Sequence, residues 1–587
     1  MSLIRPTKNL PVVLSRFLTV FLLAYSAVLG HVSAVPPNVI LVMTDDQGFG
    51  DLGCHGNTAI KTPNIDKLYS QSVRLTDFHA DPTCAPTRAA LLTGRYSTRT
   101  GVWATIMGRS LLPPSEVTLA EVLREAGYRT GIFGKWHLGD NFPLRPQDQG
   151  FDEVVVHGGG GVGQTPDHWG NDYFDDTYRH NGKPEKYTGY CTDVFFNAAL
   201  DFIDKNRRRP FFAYLSTNAP HGPFYVPETY SKAYRARGVP PHLDLFYGMI
   251  TSIDDNMGRL VKKLEDWGLE ENTILIFMTD NGTPVSHLVR DADKNEWKVF
   301  NAGMRGQKGD AYEGGHRVPF FLRWPGGGMG GGRDVDALTA HIDILPTLVE
   351  MCGARLPDKL RLDGRSLARL LGGEKEPWPE RTLFVHSQRI ERPEKWRQCA
   401  VMTKRWRLID GKELYDMKVD SGQTRDVSKE HSSVVTALRE SYETWWTGLS
   451  ERFDEFVPIG IGSDEENPTR ITGHDWHSPE NQVPYHQALV RKGVQGNGFW
   501  VVNATRGGRY EFTLRRWPRE VRKPIEATRA RLKVGSHELT EPVPEGAQEI
   551  SFELDLEPGP VRMQTWLTSP DSKQARGAYF VYVRHLD

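Results

Sequence analysis

Several features that would betray a function by composition alone are scarce here. The 587 residues contain five cysteines, Cys54, Cys84, Cys191, Cys352 and Cys399, too few for a disulfide scaffold. Their odd number leaves at least one thiol for another task in an exported chain. A basic excess is also missing: 72 Lys and Arg face 74 Asp and Glu, a formal net charge of −2. That balance excludes the electrostatic footprint of a nucleic-acid binder. Beyond the first 34 residues no apolar run approaches the ~20 residues a membrane span requires. There is no internal repeat. The glycine run Gly158–Gly161 lacks a following Lys-Ser/Thr, which excludes a phosphate-binding loop and reads as a flexible surface loop. Only Asn281 and Asn503 sit in glycosylation sequons, a paucity that leans towards a bacterial rather than a lysosomal protein.

What is present is ordinary globular composition, 39% hydrophobic and 25% charged, in a chain too long for one core. Residues 1–34 read as a signal peptide. Arg5, Lys8 and Arg16 form a positive region, Phe17 to Leu29 is apolar, and Val32-Ser33-Ala34 is a small-residue cleavage motif. The expectation is export to the periplasm or beyond, with no stable span in the mature form; an uncleaved anchor is the alternative.

From 35 to 376, short apolar runs alternate with longer helical stretches. Asn38 to Met43, Phe211 to Leu215 and Thr273 to Met278 are continuous apolar runs of strand length, and Leu119 to Ala126 and Leu243 to Trp267 read as helices. This pattern predicts an α/β fold, a large mostly parallel or mixed sheet covered by helices on both faces. A small C-terminal α+β subdomain is expected over 377–451, with strands at Thr382 to His386, Gln398 to Thr403 and Trp406 to Ile409 and a helix through Val434 to Trp446. Strict alternation around Tyr510, Phe512 and Leu514, and again around Phe552, Leu554 and Leu556, predicts an appended β-sandwich over 452–587.

In parallel sheets ligands bind beyond the carboxyl ends of strands. Two such ends carry Asp45-Asp46 and Asp280-Asn281, each after a threonine. Three carboxylates and an amide are hard oxygen ligands, suited to Ca²⁺ or Mg²⁺. The same residues also suit turns and caps.

Cys84-Ala85-Pro86-Thr87-Arg88, followed by Leu92-Thr93-Gly94-Arg95, resembles the maturation signature of the formylglycine-dependent (type I) sulfatases of the alkaline phosphatase superfamily. Pro86 fits a first helical position and puts Cys84 at a helix N-terminus, where the dipole favours an anion. The resemblance continues through Thr44-Asp45-Asp46-Gln47-Gly48, Gly134-Lys135-Trp136-His137-Leu138-Gly139, Asn218-Ala219-Pro220-His221, Thr279-Asp280-Asn281-Gly282 and Gly306-Gln307-Lys308-Gly309.

It implies a secreted arylsulfatase-like hydrolase of aryl or carbohydrate sulfate monoesters. Cys84, oxidised to formylglycine by a maturation enzyme, would supply a gem-diol nucleophile and pass through a covalent sulfo-enzyme. Asp45, Asp46, Cys84, Asp280 and Asn281 would hold Ca²⁺, with Mg²⁺ as the alternative. Arg88, Lys135 and Lys308 would hold sulfate oxygens, His221 with Lys308 would serve the leaving oxygen, and His137 would take the proton that regenerates the aldehyde. Asp45, Asp46 and Asp280 carry three negative charges against five on a divalent cation, Arg88, Lys135 and Lys308, a surplus that suits a sulfate monoanion.

Two other functions fit the same motifs: a formylglycine-dependent phosphonate or phosphodiester hydrolase, and a catalytically silent binder of sulfated glycans. Trp103, Asp167, His168 and Trp169 either line the pocket mouth or simply pack loops, and the packing role is favoured. Arg515, Arg516, Arg519 and Arg522 form either a solvated strand face or a polyanion-binding surface.

Overall fold

The computed structural model describes residues 2, 36–285, 288–290, 296–374, 377–478, 480, 482–568 and 575–587. The expected signal peptide lies outside the described residues apart from Ser2. The apolar runs form strands because Val, Ile, Leu and Phe on both sides of the pleat can be buried only inside a covered sheet. With two strands the sequence reading did not pick out, β2 (Arg129–Lys135) and β3 (Glu153–His157), the three expected runs β1 (Asn38–Thr44), β4 (Phe211–Ser216) and β5 (Thr273–Thr279) run parallel in the order β5-β1-β4-β2-β3. Antiparallel strands at Phe320–Arg323 and Thr177–His180 flank them in a ten-stranded mixed sheet.

Helices cover both faces. Val39, Leu41 and Met43 of β1 join one apolar cluster with α1 (Cys84–Thr93) and α2 (Leu119–Glu125). Ile40 and Val42 join another with α3 (Cys191–Asn206) and α4 (Leu243–Asp266). The two-residue period of the strand thus splits directly into two cores.

Four antiparallel strands, Leu383–His386, Cys399–Met402, Trp406–Ile409 and Glu413–Asp416, with α5 (Ser432–Ser450), form the small unit. The last strand was not anticipated, because its four residues are too few to show a period. The C-terminal strands form a six-stranded and a four-stranded sheet. Tyr510, Phe512 and Leu514 point inward and are fully buried. Their core is continuous with that of the small unit and with Trp103, Leu111 and Leu144 of the large one.

Two sequence readings are corrected. Gly158–Gly161 is buried, not a surface loop. Arg515 and Arg516 are 4% and 6% exposed and paired with Glu549 and Glu526, so these two present no free basic face, whereas Arg519 and Arg522 are exposed as expected.

The small sheet is joined to the large one by a buried ion pair network. Arg407 lies 2.6 Å from Glu313 and 3.0 Å from Asp77, with its side chain 1% exposed. Removing one member of such a network leaves uncompensated buried charge. Arg407→Met, which keeps the volume, is expected to cost about 3–5 kcal/mol, read as a lower thermal unfolding midpoint; an unchanged midpoint would refute it.

Candidate active site

Parallel pairing of β1 with β5 sets Thr44 opposite Thr279. The Thr-Asp echo in the sequence is therefore a register: Asp45-Asp46 and Asp280-Asn281 leave neighbouring strands side by side. The backbone N–H of Asp46 donates to Asp280 Oδ1 at 3.0 Å, and Asn281 Nδ2 donates to Asp46 Oδ1 at 2.9 Å. The α1 helix starts at Cys84, two residues earlier than the position of Pro86 implied, so the proline is its third residue, where no N–H is needed either. Its Sγ lies 3.4 Å from Asp45 Oδ1 and 3.8 Å from Asp46 Oδ1.

The cations converge on this group. Lys135, the last residue of β2, places Nζ 2.6 Å from Asp45 Oδ2. Lys308 places Nζ 2.6 Å from Asp46 Oδ1. Arg88, one turn into α1, donates to Asp280 Oδ2 at 2.8 Å and to the Ser216 hydroxyl at the end of β4. Asp45, Asp46, Cys84, Arg88, Lys135, Asp280, Asn281 and Lys308 are thus brought together.

Burial pushes Asp46 up, but Lys308 and Lys135, with the hydrogen bond from Asn281, outweigh it and hold its carboxyl well below the usual range. Burial and the adjacent Asp45 raise Asp280 despite Arg88. Burial, then Asp45, also pushes the Cys84 thiol far up. An unmodified thiol here stays protonated and is a poor nucleophile.

The donor set fits a hard divalent cation. Ligand atoms of Asp45, Asp46, Asp280 and Cys84 lie within 4.8 Å of one another. Asn281 Oδ1 is buried without a hydrogen-bond partner, an uncommon state that an oxygen-seeking ion would resolve.

Two histidines stand beside this cluster. His137, held at φ 61°, approaches the Thr105 carbonyl through Nε2 at 2.8 Å. A carbonyl only accepts, so Nε2 carries the proton and Nδ1, buried and without a partner, keeps its lone pair. Burial, Lys135 and His474 hold this ring well below the ordinary histidine range. His221 donates from Nδ1 to the Gly222 carbonyl at 2.6 Å and turns Nε2 towards Asp46 Oδ2, 3.7 Å away. Burial lowers it to about 3. Both rings are therefore neutral in the resting site.

The buried glycine run is part of the site, which the sequence reading missed. A Cβ on Gly160 would stand 2.3 Å from His137 Nε2, and one on Gly161 would stand 3.4 Å from His221 Nδ1. The signal was the run itself, four residues without side chains where two rings pack. Of the four residues weighed for the pocket mouth, Trp103 donates to the Ile390 carbonyl, Asp167 accepts from Gly158 and Gly163, and Trp169 packs edge-on against Trp517. His168 lies 4.0 Å from Glu520. They pack loops.

The sulfatase family profile matches residues 37–354. The chain belongs to the sulfatase family. It is a sulfuric ester hydrolase of the type I, alkaline phosphatase superfamily kind. The profile of the N-sulphoglucosamine sulphohydrolase C-terminal region matches residues 307–445. The sulfatase is 33% identical to human arylsulfatase A over 395 residues, 62% of this chain and 73% of the relative. It is 29% identical to mouse steryl-sulfatase over 482 residues, covering 68% and 75%. Among solved structures, Ps i-CgsB in complex with k-i-k-neocarrahexaose superposes with a TM-score of 0.62 at 27% identity, covering 72% of this chain and 95% of that one.

A methyl group at position 160 would displace the His137 ring. Gly160→Ala is expected to lower kcat on a sulfate ester by about a hundredfold, the scale of an ångström misplacement, while circular dichroism stays unchanged. Wild-type kcat would show that the packing is incidental.

Proposed function

We propose that this sulfatase hydrolyses sulfate monoesters with Cys84 carried as formylglycine, in a site that holds Ca²⁺, or Mg²⁺ in its place. The observation that carries the reading is the position of Cys84 at a helix N-terminus, with three carboxylates and an orphaned amide oxygen around it and its own thiol held protonated. Asp45, Asp46, Asp280 and Asn281 would hold the cation, together with the modified side chain at position 84. When bound, the cation would supply Lewis-acid polarisation of an oxygen on the modified side chain at position 84, a nucleophile that a buried thiol would not provide.

The remaining work belongs to the chain's own residues. Lys135, Lys308 and Arg88 bind sulfate oxygens and neutralise charge that spreads over them in the transition state. These cations are prepaid: they are already held in place by the carboxylates. His221 with Lys308 stands at the leaving oxygen; their side chains are 21% and 18% exposed, which marks the mouth, whereas Lys135 and Arg88 are fully buried. His137, neutral and with Nδ1 open, accepts a proton at that atom and so lets the aldehyde be restored after sulfate transfer.

The proposed organisation is a signal peptide at 1–34, a catalytic unit at 35–376, a small unit at 377–451 and a β unit at 452–587. An exported location accords with this, and no helix among the described residues is long and apolar enough to cross a membrane. The maturation enzyme that makes formylglycine is the implied partner.

The direct test is the mass of the tryptic peptide containing Cys84, from protein exported by its native pathway. The thiol-to-aldehyde mass loss, or its hydrate, is expected; an intact thiol in a host that matures other sulfatases would sink the reading. Chelation followed by gel filtration is expected to remove about one divalent ion per chain and to lower sulfate ester turnover at least about tenfold, restored by Ca²⁺ or Mg²⁺. Faster turnover of a matched phosphate diester than of the sulfate monoester would instead favour the phosphodiester hydrolase.

A further inference from the structure

Residues 446–587 lie beyond both matched profiles, yet a segment of this region reaches the active-site histidine His137. The ring of His474 lies 6.3 Å from the ring of His137, and His474 is 2% exposed. Its carbonyl accepts from the backbone N–H of Met107 at 3.0 Å, which fixes it to the catalytic unit. Asp475 accepts from Nδ1 at 2.8 Å, so Nε2 is the open position, and Nε2 is buried without a hydrogen-bond partner. His137 Nδ1 is open in the same way. Neighbouring rings thus each hold one buried polar nitrogen with nothing to bond. A buried unpaired polar atom costs stability, so it is expected where a ligand group completes it.

The same segment holds the glycine run that backs both histidines. Gln487 is 1% exposed. It accepts from the N–H of Gly170 at 3.0 Å and donates from Nε2 to the carbonyls of His168 at 3.1 Å and Gln164 at 3.3 Å. Gln164 in turn accepts from the N–H of Gly160 at 2.8 Å. The wall beside His137 is therefore built jointly by the glycine run, His474 and Gln487.

We propose that His474 is a specificity-determining residue of the sulfate ester site, its Nε2 meeting a hydroxyl or second anionic group on the leaving sugar of a sulfated saccharide. This rests on the proposed sulfatase chemistry, which places the leaving group at His221, whose backing glycine run also packs against His137. An aryl leaving group carries no such hydroxyl and gains nothing from His474.

The test compares binding and turnover of galactose 6-sulfate and 4-nitrophenyl sulfate. Binding is measured in a Cys84→Ala background, where no turnover is needed. His474→Ala is expected to weaken galactose 6-sulfate binding about tenfold and 4-nitrophenyl sulfate binding less than about twofold, with His474→Gln recovering part of the loss. In the active enzyme kcat/KM should split between the two esters in the same sense. Equal losses on both esters, or none on the sugar, would overturn the proposal. Absence of turnover in the wild type would count against the sulfatase chemistry alone, and the binding comparison would still decide the role of His474. Thermal midpoints of both variants separate a folding defect from lost recognition.

Discussion

Three carboxylates crowded out of water at the ends of two adjacent strands are the constraint around which this molecule is organised. Asp45, Asp46 and Asp280 repel one another, and a low-dielectric setting makes that repulsion expensive. Each is met by a cation from a different element: Lys135 from the end of β2, Lys308 from a turn, Arg88 from α1. The site is thus a charge lattice drawn from the whole catalytic unit. Its balance explains why Asp46 is driven down while Asp280 is driven up although both are buried.

Much of this was legible in the residues. Three of the five parallel strands showed as apolar runs, because a strand covered on both faces has no polar positions to spare, whereas Arg129–Lys135 and Glu153–His157 carry charged ends that hid them. The paired Thr-Asp steps pointed to one crevice, and the register of Thr44 with Thr279 is the physical reason. The block around Cys84 carried the family resemblance. What the residues concealed is equally instructive. Gly158–Gly161 looked like a flexible loop, since polarity and small size describe both a loose turn and a tightly packed one. Only the rings of His137 and His221 against Gly160 and Gly161 separate the two cases. Arg515 and Arg516 looked like a basic face because their acidic partners, Glu549 and Glu526, are distant or unremarkable in sequence.

The C-terminal sheets share their apolar core with the small unit and with loops of the catalytic one. Trp103, Tyr442, Trp446, Trp500 and Tyr510 belong to a single buried cluster. Such continuity makes the β unit a structural buttress rather than a tethered attachment, since cutting it away would expose the core it closes.

The burial of Cys84 has a consequence for timing. The residue is 2% exposed, and all ten residues of α1 are buried. Under the proposed chemistry Cys84 would have to be oxidised before α1 packs, because the folded molecule leaves its side chain no approach from solvent. Folding would then act as a deadline, and a molecule that folded first would keep its thiol out of reach.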